Sequence, residues 1–141
     1  TFGSGAGGNI NIETTSFSVT GGSRVEAITV GAGTAGSILI NASDSVTLSG
    51  VSPIAVVPFI PELESAPDLG GGSASGLYAN ANAEESGLGG SIEINTGTLR
   101  VADGAIVSAR TLSTAQGGDI AINVNNFELT GGSQILASSF G

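Results

Sequence analysis

The chain is 141 residues long, 24 of them Gly, and carries three Arg against twelve Asp and Glu, with neither Lys, His nor Cys, for a net charge of −9. That balance excludes a basic patch able to neutralise phosphates or anionic lipid headgroups, and the missing His and Cys exclude zinc sites, disulfides, thiol chemistry and His-based triads. At 40% hydrophobic and 11% charged residues, the chain is expected to fold, as a single segment spanning 1–141.

The first predicted elements open at Gly8-Asn9-Ile10-Asn11-Ile12 and set a pattern that returns. Phe17-x-Val19 follows, then Gly22, then Val25-Glu26-Ala27, then Thr29-Val30-Gly31. The second round begins at Gly36 with Ile38 and Ile40, carries Val46 and Leu48 one place late, and reaches Gly50. It resumes at Leu77-Tyr78-Ala79. The third runs from Gly90 through Ile92, Ile94, Leu99, Val101 and Gly104 to Val107-Ser108-Ala109 and Thr111-Leu112-Ser113. The fourth runs from Gly118 through Ile120, Ile122, Phe127, Leu129 and Gly132 to Ile135-Leu136-Ala137. The first two starts are 28 residues apart, as are the last two, and the middle gap is 54.

Each round holds three apolar–polar alternations of period two, the signature of strands with one buried face. They read as strands of about three to five residues separated by Gly, Asn, Ser and Thr corners. No sustained 3.6-residue pattern appears, so essentially no helix is expected. Three short strands and three corners per round describe one coil of a parallel β-helix, and four coils of about 28 residues make the chain. Equivalent residues then stack in columns. Ile10, Ile38, Ile92 and Ile120 form one, Ile12, Ile40, Ile94 and Ile122 another, and Asn41, Asn95 and Asn123 a third with Glu13 in its first place.

An insertion over 51–76 interrupts the second coil and holds all four prolines, Pro53, Pro58, Pro61 and Pro67. Proline cannot donate to a strand ladder, so the segment is expected to leave the wall and to be cut first by a protease. Its apolar part, Ile54, Val56, Val57, Phe59 and Ile60, is too short to span a bilayer. Three readings stand for the segment. It is a surface loop folded back on the wall, an interaction loop presenting those five residues to a partner, or part of a calcium site. The calcium candidates are Glu62, Glu64 and Asp68, with Glu84 and Glu85 from a second, smaller lengthening in the same coil.

Catalysis is not expected. The basic residues are Arg24, Arg100 and Arg110, and guanidinium makes a poor proton acceptor. Glu13, Asp44, Glu93, Asp103, Asp119 and Glu128 form no single column that would pair two carboxylates as a hydrolase needs. No cofactor or resident metal is called for. Flat Thr arrays in T-x-T register, as for ice binding, do not persist through the repeats, and the Gly runs lack the Lys and following helix of a phosphate loop. A carbohydrate-binding or carbohydrate-processing β-helix is the alternative function, but the aromatic inventory offers one Tyr, Tyr78, and no Trp for stacking on sugars.

The repeat, with Gly7-Gly8-Asn9-Ile10-Asn11-Ile12-Glu13-Thr14 and Leu129-Thr130-Gly131-Gly132-Ser133-Gln134-Ile135, resembles those of filamentous haemagglutinin-type exoproteins, above all the large cyanobacterial members. The likeness covers the chain apart from the insertion. It implies a right-handed parallel β-helix, export by an outer-membrane two-partner secretion transporter, and an extracellular or cell-surface location. The expected function is a structural segment of an adhesin or extracellular fibre. Its expected partners are copies of itself or adjoining coils, with host or surface glycans a further possibility, and neither nucleic acid nor membrane insertion. Thr1-Phe2-Gly3 and Ser139-Phe140-Gly141 fall in the same slot of the repeat. The sequence is therefore read as an excised or mature segment whose Phe2 and Phe140 ends stack on neighbouring coils.

Overall fold

A computed structural model describes residues 4–52, 73–82 and 87–139. It is all-β, and no helix occurs among the described residues. Four long strands, β1 (Ile10–Thr20), β3 (Ile38–Ser49), β5 (Ile92–Ala102) and β7 (Ile120–Leu129), form one sheet in the order β1-β3-β5-β7. Four short strands, β2 (Arg24–Glu26), β4 (Gly76–Tyr78), β6 (Ile106–Ser108) and β8 (Gln134–Leu136), form a second in the order β2-β4-β6-β8. Every pairing in both is parallel. A third line of single parallel bridges joins Thr29, Ala81, Thr111 and Ser139.

The pairing follows the sequence repeat residue for residue. Ile10 lies opposite Ile38, Ile38 opposite Ile92, and Ile92 opposite Ile120. The columns of Ile12 and of Asn41 are formed in the same way. Leu77, resuming after the insertion, lies between Val25 and Val107. The inward residues of the two inner long strands, Ile38, Ile40, Val46, Leu48, Ile92, Ile94, Leu99 and Val101, join Leu77 and Val107 of the second sheet in one apolar core. Burying an aliphatic side chain of this size contributes about 1.5–3 kcal/mol. β-Branched residues fit the pleated, buried face that these columns need.

One expectation is corrected. The I-x-I and F-x-V alternations are not two short strands with a corner between them but the two halves of one strand. In β5 the alternation changes phase by one residue between Ile94 and Leu99, both fully buried. The intervening Asn95-Thr96-Gly97-Thr98 stays extended because strands on both sides supply ladder partners. In β3 one added residue at the same place cancels the phase change, so Ile40 and Val46 fall on the same alternation. Ser43 and Asp44 together lie opposite the single Thr15 on one side and the single Gly97 on the other, a bulge. That extra residue is why Val46 and Leu48 come one place late.

The corner after each long strand is tight. Gly21-Gly22, Asp103-Gly104 and Gly131-Gly132 all have positive φ, at 63° and 86°, 54° and 80°, and 62° and 76°. Each turn is closed by a hydrogen bond from the residue after the pair to the carbonyl before it, as in Ala105 N to Ala102 O at 3.1 Å. Left-handed backbone at two successive positions explains the glycines. In the second repeat this corner opens into the insertion. Ser52 N donates to Ser73 O at 2.8 Å, and Val51 pairs antiparallel with Ala74, so the two stems close on each other. Ser75 N then returns to Gly50 O at 2.9 Å. Gly76, assigned by sequence to the insertion, is instead the first residue of β4, seated between Arg24 and Ile106. A Cβ there would run into the Ile106 carbonyl oxygen.

Candidate functional site: polar columns and open edges

Most residues singled out from sequence lie outside the described residues. These are the calcium candidates Glu62, Glu64, Asp68, Glu84 and Glu85, the apolar loop residues Ile54, Val56, Val57, Phe59 and Ile60, and the end residues Phe2 and Phe140. Among the described residues, no group of three or more His, Cys, Asp or Glu is placed to hold a metal ion. Glu13, Asp44, Glu93, Asp103, Asp119 and Glu128 are spread along the strands and corners. Arg100 meets Glu128 at 3.5 Å, its ladder partner on β7, an exposed pair of small energetic weight.

The asparagine column is a hydrogen-bonded ladder with a direction. Asn95 Nδ2 donates to Asn41 Oδ1 at 2.8 Å, and Asn123 Nδ2 donates to Asn95 Oδ1 at 2.7 Å. Asn95 Nδ2 also donates to Glu93 Oε1 at 2.9 Å. A carboxylate accepts only, so Glu93 fixes which branch of the Asn95 amide is the nitrogen. The ladder therefore points its donors toward β1 and its acceptors toward the outer edge of β7. Glu13 occupies the matching position on β1, opposite Asn41.

Tyr78, the sole aromatic of the sugar-platform reading, is buried. The Arg24 guanidinium lies 4.4 Å from its ring centroid, Arg24 Nε pairs with Glu26 at 2.6 Å, and the Tyr78 hydroxyl donates to Ala74 O at 3.1 Å. The ring thus packs beneath the stem of the insertion and is not offered to a ligand. Sequence reasoning missed this cluster, although Arg24 and Glu26 flank Val25 in the repeat slot that also holds Tyr78. It also missed the buried Asn80, whose Oδ1 accepts from Ser108 Oγ at 2.8 Å and from Arg110 N at 2.9 Å.

Where successive repeats begin, glycines line a shallow groove of about 250 Å³ with Ser37, Ser91, Gln116 and Asp119. Its floor is backbone brought close. A Cβ at Gly36 would strike the Gly8 carbonyl oxygen, one at Gly90 that of Gly36, and one at Gly118 that of Gly90. Gly8, first in the column, has nothing within 4 Å of an added Cβ.

Two of the exposed large apolar side chains among the described residues lie at the sheet edge. Phe127 and Leu129 on β7 are 49% and 45% exposed, whereas their column mates Leu99 and Val101 on β5 are fully buried. The outer edges of β1 and β7 have no strand beside them among the described residues. No family model, curated protein or solved structure matches this chain.

Proposed function

We propose that the chain is a length of right-handed parallel β-helix, four coils with one inserted loop, serving as a structural segment of a secreted or cell-surface adhesin or extracellular fibre. The observation that carries this reading is the in-register pairing of each repeat with the next in both sheets and the line of bridges. A chain built this way places its repeats side by side, and each contacts only its neighbours. It grows by adding repeats, which suits a rod. The sequence repeat adds its resemblance to filamentous haemagglutinin-type exoproteins, and with it export through an outer-membrane two-partner secretion transporter. Residues such as Asn11, Ser18, Glu128 and Asp44 give the rod a polar outer surface. Tyr78, the one Tyr in a chain without Trp, is buried, which weighs against the carbohydrate-binding alternative.

The reading is tested by immunogold electron microscopy of intact source cells, with antibody raised against this segment. Gold on the cell surface or on shed fibres is the expected result. Gold confined to the cell interior contradicts it.

A further inference from the structure

We infer that residues 50–74 are a separable module, carried at one corner of the wall in place of a two-residue turn, and that the second repeat closes without them. The turns that follow the other long strands each have two residues at positive φ, Gly21-Gly22, Asp103-Gly104 and Gly131-Gly132. Each takes the chain from the long-strand sheet to the short-strand sheet. In the second repeat, Ser49 and Ser75 stand where those turns begin and end. Ser49 lies opposite Thr20 on one side and Ala102 on the other. Gly76, next after Ser75, lies opposite Arg24 and Ile106. Residues 50–74 are thus this repeat's counterpart of two residues.

Both ends of the segment stay in the ladder with the repeats on either side. Where the chain leaves the long strand, Gly21 N donates to Ser49 O and Gly50 N to Ala102 O, both at 3.2 Å. Where it enters the short strand, Gly76 N donates to Ser23 O at 3.1 Å and Ile106 N to Ser75 O at 2.9 Å. Ser75 is fully buried, and its Oγ accepts from Gly22 N at 2.8 Å. Between these ends the chain closes on itself. Ser75 N donates to Gly50 O at 2.9 Å, much as Ala105 N reaches Ala102 O at 3.1 Å in the third repeat. Ser52 N donates to Ser73 O at 2.8 Å, and Val51 pairs antiparallel with Ala74. Gly50, at φ 87°, already has the backbone conformation of the neighbouring corners.

A segment that leaves and returns at one corner can be taken out without withdrawing a ladder partner from either neighbouring repeat. Joining Ser49 to Ser75 through two residues also closes a shorter loop, which costs less chain entropy. All four prolines, which cannot donate to a ladder, lie inside the segment and go with it. What the wall loses is the brace beneath the stem, the hydrogen bond from the Tyr78 hydroxyl to Ala74 O at 3.1 Å.

The test replaces residues 50–74 by Asp-Gly, the turn of the third repeat, and in a second chain by Gly-Gly, the turn of the first. Circular dichroism and thermal unfolding are compared with those of the unaltered chain. A β spectrum and a single unfolding transition, with a midpoint within about 5 °C of the unaltered one, are expected of the shortened chains, and either of them meeting this supports the inference. A third chain lacks residues 51–76, the span over which composition departs from the repeat. It loses Ser75 and Gly76 from their ladders, and its midpoint is expected to fall by about 10 °C or more. Loss of the β spectrum or of the cooperative transition in both turn-replaced chains overturns the inference. So does a third chain as stable as they are, because the wall would then not begin again at Ser75.

Discussion

Asp103 is the one non-glycine residue with positive φ among those described, at 54°, in a place where the equivalent corners use Gly21 and Gly131. Its carboxylate compensates by accepting from Ser49 Oγ at 2.7 Å, which ties the corner after β5 to the end of β3. Asp tolerates the left-handed region better than most residues, and Ala does not. Asp103→Ala is expected to lower stability by about 1–2 kcal/mol, from the backbone strain and the lost hydrogen bond together. Asp103→Gly relieves the first while losing the second, and is expected within about 1 kcal/mol of the unaltered chain. Urea titration of the two variants distinguishes them. Close approach governs a different glycine. At Gly90 the added methyl meets the Gly36 carbonyl and the Ala79 methyl, so Gly90→Ala is expected to cost about 1–3 kcal/mol or more. Gly8→Ala, in the same column with open space, is expected within about 0.5 kcal/mol. Equal thermal midpoints for the two would show that the column is not packed backbone on backbone.

At the scale of the strand, the asparagine ladder should weigh more at its centre than at its end. Asn95 joins both links, whereas Asn123 makes one. Asn95→Ala is expected to destabilise by about 1 kcal/mol, the net worth of partly exposed hydrogen bonds, and Asn123→Ala by about half of that. The reverse order in denaturant midpoints would contradict the ladder's geometry. The columns themselves were legible in the sequence, because β-branched residues recur at a fixed offset from a glycine and the structure pairs them at that offset. The long strands were not. A phase change inside a continuous strand, as between Ile94 and Leu99, leaves the same trace in sequence as a corner, and only ladder partners on both sides tell them apart. Gly76 was misassigned for a related reason. A glycine beside a Gly-rich insertion reads as loop, whereas here the missing Cβ is what lets β4 lie against Ile106. The position of Glu13 in the asparagine column was legible, but the ladder's polarity was not, since it depends on Glu93 selecting one face of the Asn95 amide.

At the scale of the molecule, the account rests on repeats that pair only with their neighbours and on two outer edges that pair with nothing among the described residues. Such an arrangement grades stability from the middle outward, because β3 and β5 have a strand on each side and β1 and β7 have one. The gradient also explains why Phe127 and Leu129 are exposed while chemically similar residues one repeat away are sealed. Hydrogen exchange of the monomeric chain, followed by mass spectrometry, reads this gradient directly. The account predicts the slowest exchange in β3 and β5 and faster exchange in β1 and β7. Protection in β1 and β7 equal to that of β3 and β5 in the dilute, unaltered chain would contradict it.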